Sequence, residues 1–259
     1  MISSMKRILL TVEYDGSGYV GWQWQENGIS VQQRLEEALE QACGEKIRVT
    51  GASRTDAGVH ARGQRAHFDT GSRIPPEKFP FVLNTLLPPD IRVQAAREVA
   101  PDFHARFLSS GKTYTYRIIN SRHGSALLRR THWHIPVPLD VARMRSAADI
   151  LPGVHDFAAF QAAGGTAKTT VRRMDEAVLT AHDGEILFRI AGNAFLYNMV
   201  RIIVGTLAEI GLGRLPQDAF VKAFASGSRL DLGMTAPAHG LELTEVRYPS
   251  GEEQHIWFD

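Results

Sequence analysis

One short segment sets a carboxylate beside a cation at loop spacing: Ser53-Arg54-Thr55-Asp56-Ala57-Gly58-Val59-His60. Its small residues let a ligand approach the backbone, and loops between strands are where a rigid scaffold presents reacting groups. Asp also forms turns by bonding its own backbone, so the segment alone leaves both roles open. A second clue is Arg201, inside the apolar run Phe195-Leu196-Tyr197-Asn198-Met199-Val200-Arg201-Ile202-Ile203-Val204. A cation there is unfavourable unless it snorkels to solvent or meets a carboxylate. A buried Asp56 needs the same compensation, and Arg54 and Arg201 together would hold it ionised. Such a carboxylate is a poor general acid and fits the role of nucleophile or electrostatic anchor.

Three other patterns fail on context. Gly16-Ser17-Gly18-Tyr19-Val20-Gly21 matches G-x-G-x-x-G, but helical periodicity begins only at Ser30, too late to bring a helix N-terminus to a pyrophosphate. Gly111-Lys112-Thr113 ends like a P-loop, yet Arg106 stands where the leading glycine belongs and the lysine precedes a strand. His132-x-His134 puts two rings on one strand face without a third ligand at recognisable spacing, so no metal site is expected.

The elements that position these residues follow from periodicity. Strands are expected at 7–15, 47–51, 64–69 and 91–99, with a helix capped by Ser30 and another from Pro75–Pro76 to about Leu87. From Phe103 the pattern restarts: strands at 113–120, 132–135, 174–180, 186–191 and 241–248, and helices at 139–151, 195–210 and 217–225. This order predicts an α+β protein of two α+β sandwiches, helices packed on one face of each sheet. The expected division is 1–102, carrying the Asp56 loop, and 103–259, carrying Tyr114, the basic stretches and the Arg201 helix.

The 259 residues carry 29 Lys+Arg against 28 Asp+Glu, a formal net charge of +1. That total hides the distribution. No acidic residue occurs between Asp102 and Asp140, while the same stretch holds Arg106, Lys112, Arg117, Arg122, Arg129 and Arg130. A second acid-free run, Phe157 to Met174, holds Lys168, Arg172 and Arg173. Clustered cations without carboxylates suit a phosphate backbone, and Tyr114 and Tyr116 among them suit stacking on unpaired bases. A solvated basic face over core tyrosines gives the same pattern. The single cysteine, Cys43, excludes an intramolecular disulfide and a Cys-built zinc site. Met1–Arg7 lacks the apolar core of a signal peptide, so a cytoplasmic location is expected. The apolar window Ala194–Gly213 contains Asn198, Arg201 and Glu209 and reads as a buried helix rather than a membrane span.

Taken together, Arg54-Thr55-Asp56-Ala57-Gly58-Val59-His60-Ala61 resembles the signature of the tRNA pseudouridine synthase A family. The likeness continues in order through Tyr14-Asp15-Gly16, Gly21-Trp22-Gln23, Gly63-Gln64 and Leu87-Pro88-Pro89-Asp90-Ile91. It then runs through Phe103-His104-Ala105-Arg106-Phe107, Asn198–Gly205 and Thr235-Ala236-Pro237. Ser53 stands where the family usually has glycine, and Glu242 where an aromatic is common, which puts the freedom of the turn and the packing near the site in question.

The resemblance implies two ferredoxin-like or RRM-like halves with antiparallel sheets sharing a central cleft. It implies an isomerase without a cofactor that converts uridine to pseudouridine at positions 38, 39 and 40 of the tRNA anticodon arm, acting as a homodimer. Asp56 matches the catalytic aspartate, Arg54 a neighbour that helps extrude the base, Tyr114 the tyrosine stacked on the target, and Arg201 a basic residue paired with the aspartate. The competing reading is a tRNA-binding module or chaperone with the same basic surface and no chemistry. A carboxylate-dependent nuclease would need clustered carboxylates for metal, and the sequence offers none.

Overall fold

The computed structural model describes residues 5–249. They form two compact units, one comprising residues up to Ser110 with those from Leu243 onward, the other Gly111–Glu242. The expected division at 102/103 falls inside the first unit's N-terminal segment, and of the last described strand the residues from Leu243 onward are grouped with the first unit. Of the N-terminal stretch read above, residues 1–4 lie outside the described residues.

The first unit is built on β1 (Lys6–Tyr14), where Ile8, Leu9, Leu10 and Val12 are all buried. A strand covered on both faces reads as a continuous apolar run. Helix α1 (Val31–Cys43) begins where Ser30 Oγ accepts from Gln33 N at 3.1 Å and ends at Gly44 in the left-handed region. Its stripe of Val31, Leu35, Ala38 and Leu39 is buried, and each large apolar side chain so placed contributes about 2 kcal/mol. The strand expected at 47–51 shrinks to β2 (Thr50–Gly51). The cause is local: Val49 N donates to Glu36 Oε1 at 3.0 Å, and Val49 O accepts from Gln32 Nε2 at 3.1 Å, so α1 takes the groups a ladder would use. Strand β3 (His60–Thr70) follows, then a 3-10 turn at Pro76–Lys78, α2 (Phe79–Leu86) and β4 (Ile91–Val99). β1 lies between β4 and β3, antiparallel to both.

The second unit contains β5 (Gly111–Asn120), β6 (Trp133–Ile135), α3 (Val141–Ala148), β7 (Gly153–Asp156), β8 (Val171–His182) and β9 (Glu185–Gly192). Helices α4 (Met199–Gly211) and α5 (Ala219–Ser226) complete it. The sheet order is β5-β9-β8-β7, antiparallel throughout, with β6 parallel beside β5. Asp183 and Gly184 both have positive φ, as a tight hairpin between β8 and β9 requires. Most of α4 is buried, in keeping with a core helix; among the described residues no helix is long and apolar enough to cross a membrane.

The chain then returns to the first unit, where β10 (Leu241–Arg247) lies beside β3. Their approach is close: a Cβ at Gly63 would lie 2.5 Å from Thr244 O.

Candidate active site

Residues 52–59 form the loop between β2 and β3, and the first unit grips it from three sides. Gln64, fully buried on β3, accepts from Ser53 N at 3.1 Å and donates to Ser53 O at 2.7 Å. Tyr14 OH and Thr55 Oγ1 are 2.7 Å apart. Trp22 N donates to Thr55 O at 3.1 Å, and Val59 N closes the turn by donating to Asp56 O at 3.1 Å.

The glycine-rich segment that fails as a dinucleotide motif has its use here. It forms a 3-10 turn at Gly16–Gly18, and the chain beyond it packs against the Asp56 loop. Gly21 has φ +112°, and a Cβ there would sit 2.6 Å from Thr55 O, so only glycine fits. Gly16 N donates to His60 Nδ1 at 3.1 Å, and Asp15 Oδ1 lies 3.2 Å from the same nitrogen.

Within this frame Ser53 and Thr55 are buried, Asp56 is half-buried and Arg54 is exposed. A half-buried carboxylate needs less compensation than the fully buried Asp56 expected from sequence. The serine at position 53 needs no glycine-like freedom: among the described residues only Asp183 and Asn198 are non-glycine residues at positive φ.

In the second unit, Tyr114 and Tyr116 lie two apart on β5 but have different surroundings. Tyr116 is fully buried, donates from its hydroxyl to Pro237 O at 2.7 Å and meets Trp133 edge-on. Burial pushes its phenol far above the usual range, against the opposing pull of the Arg201 charge. It is therefore part of the core. Tyr114 is 7% exposed, and its ring is set edge-on against Phe195 with centroids 5.0 Å apart.

Arg201 is half-buried on the first turn of α4. Its Nε donates to Ala236 O at 2.8 Å and its Nη1 to Asn198 Oδ1 at 2.7 Å. Neutral oxygens thus share in compensating the cation, a source that the expectation of a carboxylate partner left out. Asn198 precedes α4 in the left-handed region, φ 58° and ψ 8°, and gives its side chain to Arg201 instead of capping the helix. The 233–236 loop is fixed to α4 by Gly233 N donating to Thr206 Oγ1 at 2.9 Å and Ala236 N donating to Arg201 O at 3.0 Å. Gly205 permits this docking, since a Cβ there would collide with Met234 O.

Of the basic residues, Arg106, Arg122, Arg129, Arg130, Lys168 and Arg173 are exposed. Arg117 is not part of that surface. Its Nη1 lies 3.1 Å from Glu242 Oε2 with both side chains largely buried, so the unusual Glu242 neutralises one cation of the acid-free stretch. His132 Nε2 lies 2.9 Å from Glu185 Oε1 and His134 Nε2 2.8 Å from Ser121 O. Among the described residues no group of three His, Cys, Asp or Glu is placed to hold a metal ion.

The supporting roles of Gln64, Asn198, Phe195 and Gly21 are additions from the structure. Gly21, Gln64 and Asn198 stand in blocks of the family resemblance, and Gln64 carries a further signal, a polar side chain at an inward position of a strand.

Comparison with known proteins adds an independent line. The family model described as tRNA pseudouridine synthase matches residues 10–108 and 147–249. A tRNA pseudouridine synthase A of Acetivibrio thermocellus is 48% identical over 94% of this chain and 100% of its own length. That of Ruminiclostridium cellulolyticum is 47% identical over the same shares, and that of Myxococcus xanthus 48% identical over 95% of this chain and 94% of its own length.

Proposed function

The chain belongs to the tRNA pseudouridine synthase family and isomerises uridine to pseudouridine in tRNA, and we propose that it does so at positions 38, 39 and 40 of the anticodon stem-loop with Asp56 as the catalytic carboxylate. The observation that carries the assignment to Asp56 is its loop. An Arg-Thr-Asp sequence is held by Gln64, Tyr14 and Trp22, so the carboxylate projects from a rigid turn while staying half-exposed to a substrate.

The chemistry needs that arrangement. The N1–C1′ bond breaks, uracil turns, a C5–C1′ bond forms, the C5 proton leaves and N1 gains a proton. None of this is possible while the base is stacked and paired, so the uridine must be extruded, at a cost of a few kcal/mol. Arg54, exposed beside Asp56, is suited to fill the vacated space, and stacking on the Tyr114 ring returns about 1–3 kcal/mol. Asp56 acts ionised, either by adding to the ribose or base or by assisting glycosidic cleavage to a glycal-like species. Arg201, oriented by Asn198 and Ala236, is the cation assigned to pair with it. Water must be kept out while the detached uracil turns, or abasic tRNA results. The exposed arginines of the acid-free stretches supply the phosphate contacts to the anticodon arm. The enzyme is read as a cytoplasmic homodimer.

The test is release of tritium from tRNA labelled at uridine C5, with no metal or nucleotide added. Wild-type protein is expected to release it, and Asp56→Asn to release none while still binding tRNA. Undiminished turnover by Asp56→Asn would sink the assignment. Binding without release by wild type would favour the competing reading of a tRNA-binding module.

A further inference from the structure

A second aromatic and cationic cluster lies in the first unit, outside the Asp56 loop. Phe107 is 74% exposed, and its ring stacks on His104 with centroids 4.2 Å and planes 27° apart. His104 meets His67 edge-on at 4.9 Å, and the Arg106 guanidinium lies 5.8 Å from the Phe107 centroid. The segment is a built turn. Arg106 N and Phe107 N both donate to His104 Nδ1, at 3.2 and 3.3 Å, and Leu108 N donates to His104 O at 3.0 Å. Arg7 Nη1 anchors its start by donating to Phe103 O at 2.8 Å. An Nδ1 that accepts two N–H groups marks a neutral imidazole, which stacks beside Arg106 without repelling it.

The cluster lies toward the opposite end of β3 from the Asp56 turn. His60 opens β3 directly after that loop, and His67, which carries the cluster, lies seven residues further on. Val59 N donating to Asp56 O holds the carboxylate's turn at the His60 end, whereas the start of the loop runs beside the cluster, since Thr50 of β2 is paired with His67.

A large aromatic ring held rigidly in water beside a guanidinium, at the start of a stretch without carboxylates, has the makings of a nucleobase platform. The stacked imidazole removes its rotamer freedom in advance, and Arg106 adds attraction for the phosphate next to a stacked base. We propose that Phe107, with Arg106 beside it, stacks an unpaired base of the tRNA at a point remote from the uridine that reacts, and so positions the substrate without joining the chemistry. The proposal rests on tRNA being the substrate.

The experiment compares wild type, Phe107→Ala, Phe107→Tyr and Arg106→Gln on full-length tRNA, by tritium release and by filter binding over a salt series. Phe107→Ala is expected to raise KM and Kd roughly five- to one-hundred-fold, with kcat at saturating tRNA within about twofold of wild type and the same melting temperature. Phe107→Tyr restores affinity because it restores the ring. Arg106→Gln lowers the slope of log affinity against log salt by about one. Wild-type affinity in Phe107→Ala would overturn the proposal. So would a shift of that variant from dimer to monomer in sedimentation with tRNA affinity intact, which would make Phe107 a contact between copies. Failure of wild type itself to act on tRNA would strike the functional reading instead, so the two failures are distinguishable.

Discussion

The side-chain amide of Gln64 completes both backbone groups of Ser53, accepting from its N–H at 3.1 Å and donating to its carbonyl at 2.7 Å. A buried glutamine used in this way acts as an absent strand residue: it satisfies the loop where the ladder stops. Replacing it by Leu removes both hydrogen bonds to this buried residue's backbone, each worth about 1–3 kcal/mol. Gln64→Leu is therefore expected to lose about 2–6 kcal/mol in urea unfolding. Displacement of the loop should lower kcat by at least tenfold. A variant as stable and as active as wild type would show that the clamp is dispensable.

Asn198 and Arg201 allow a cleaner separation of backbone from side-chain effects. Gly at position 198 keeps the left-handed backbone but loses the oxygen that holds Arg201 Nη1, whereas Ala loses the oxygen and also strains the backbone. Asn198→Ala should thus be less stable than Asn198→Gly by about 1 kcal/mol. Both should lose activity to the same extent, about tenfold or more. Equal stability of the two in thermal melts would contradict the strain argument.

Tyr114 is assigned a stacking role, so the ring matters more than the hydroxyl. Tyr114→Phe is expected to bind tRNA within about twofold of wild type. Tyr114→Ala should lose about 1–3 kcal/mol of binding, measured by filter retention. A Phe variant that binds normally yet fails to release tritium would assign the hydroxyl to transfer of the C5 proton.

His67 makes stability depend on pH. Burial, then the neighbouring His104 and Arg7, lowers its pKa to about 4, and Ala105 N donates to its Nδ1 at 3.2 Å, a bond that protonation breaks. A histidine whose folded pKa is depressed takes up its proton more readily when unfolded. Its effect is therefore constant above about pH 6.5 and becomes progressively destabilising as pH falls toward 4. Between pH 7.5 and 5.0 wild type should lose roughly 1–2 kcal/mol more than His67→Gln in denaturant titrations. Parallel pH profiles would show that His67 is not the group responsible.

Much of this was legible beforehand for physical reasons. β1 and α1 announce themselves because a doubly covered strand and a capped amphipathic helix leave strong periodic traces. β7 leaves no trace of this kind, because four residues opening with Gly153 show no period. Apolarity begins near Phe195 and points to a helix start there, but nothing in the pattern betrays that Asn198 turns left-handed and delays the helix to Met199. The Asp56 loop was visible as chemistry, while its grip by Gln64, Gly21 and Trp22 depends on contacts distant in sequence. The basic stretch was visible too, but not the pairing of Arg117 with Glu242, which subtracts one cation from it.

The return of the chain to its first unit has a bearing on how the protein is made. Gly63 and Thr244 face each other across roughly 180 residues of sequence. On the ribosome β3 must therefore wait on the order of ten seconds after Ser110 emerges before β10 arrives. Gly111–Glu242 is continuous and can fold in that interval, but the strand that follows the Asp56 loop keeps an open edge, the form most prone to wrong pairing. Chains that stop before β10 should accordingly be the ones that aggregate or are degraded, because the edge of β3 that β10 covers stays unprotected in them.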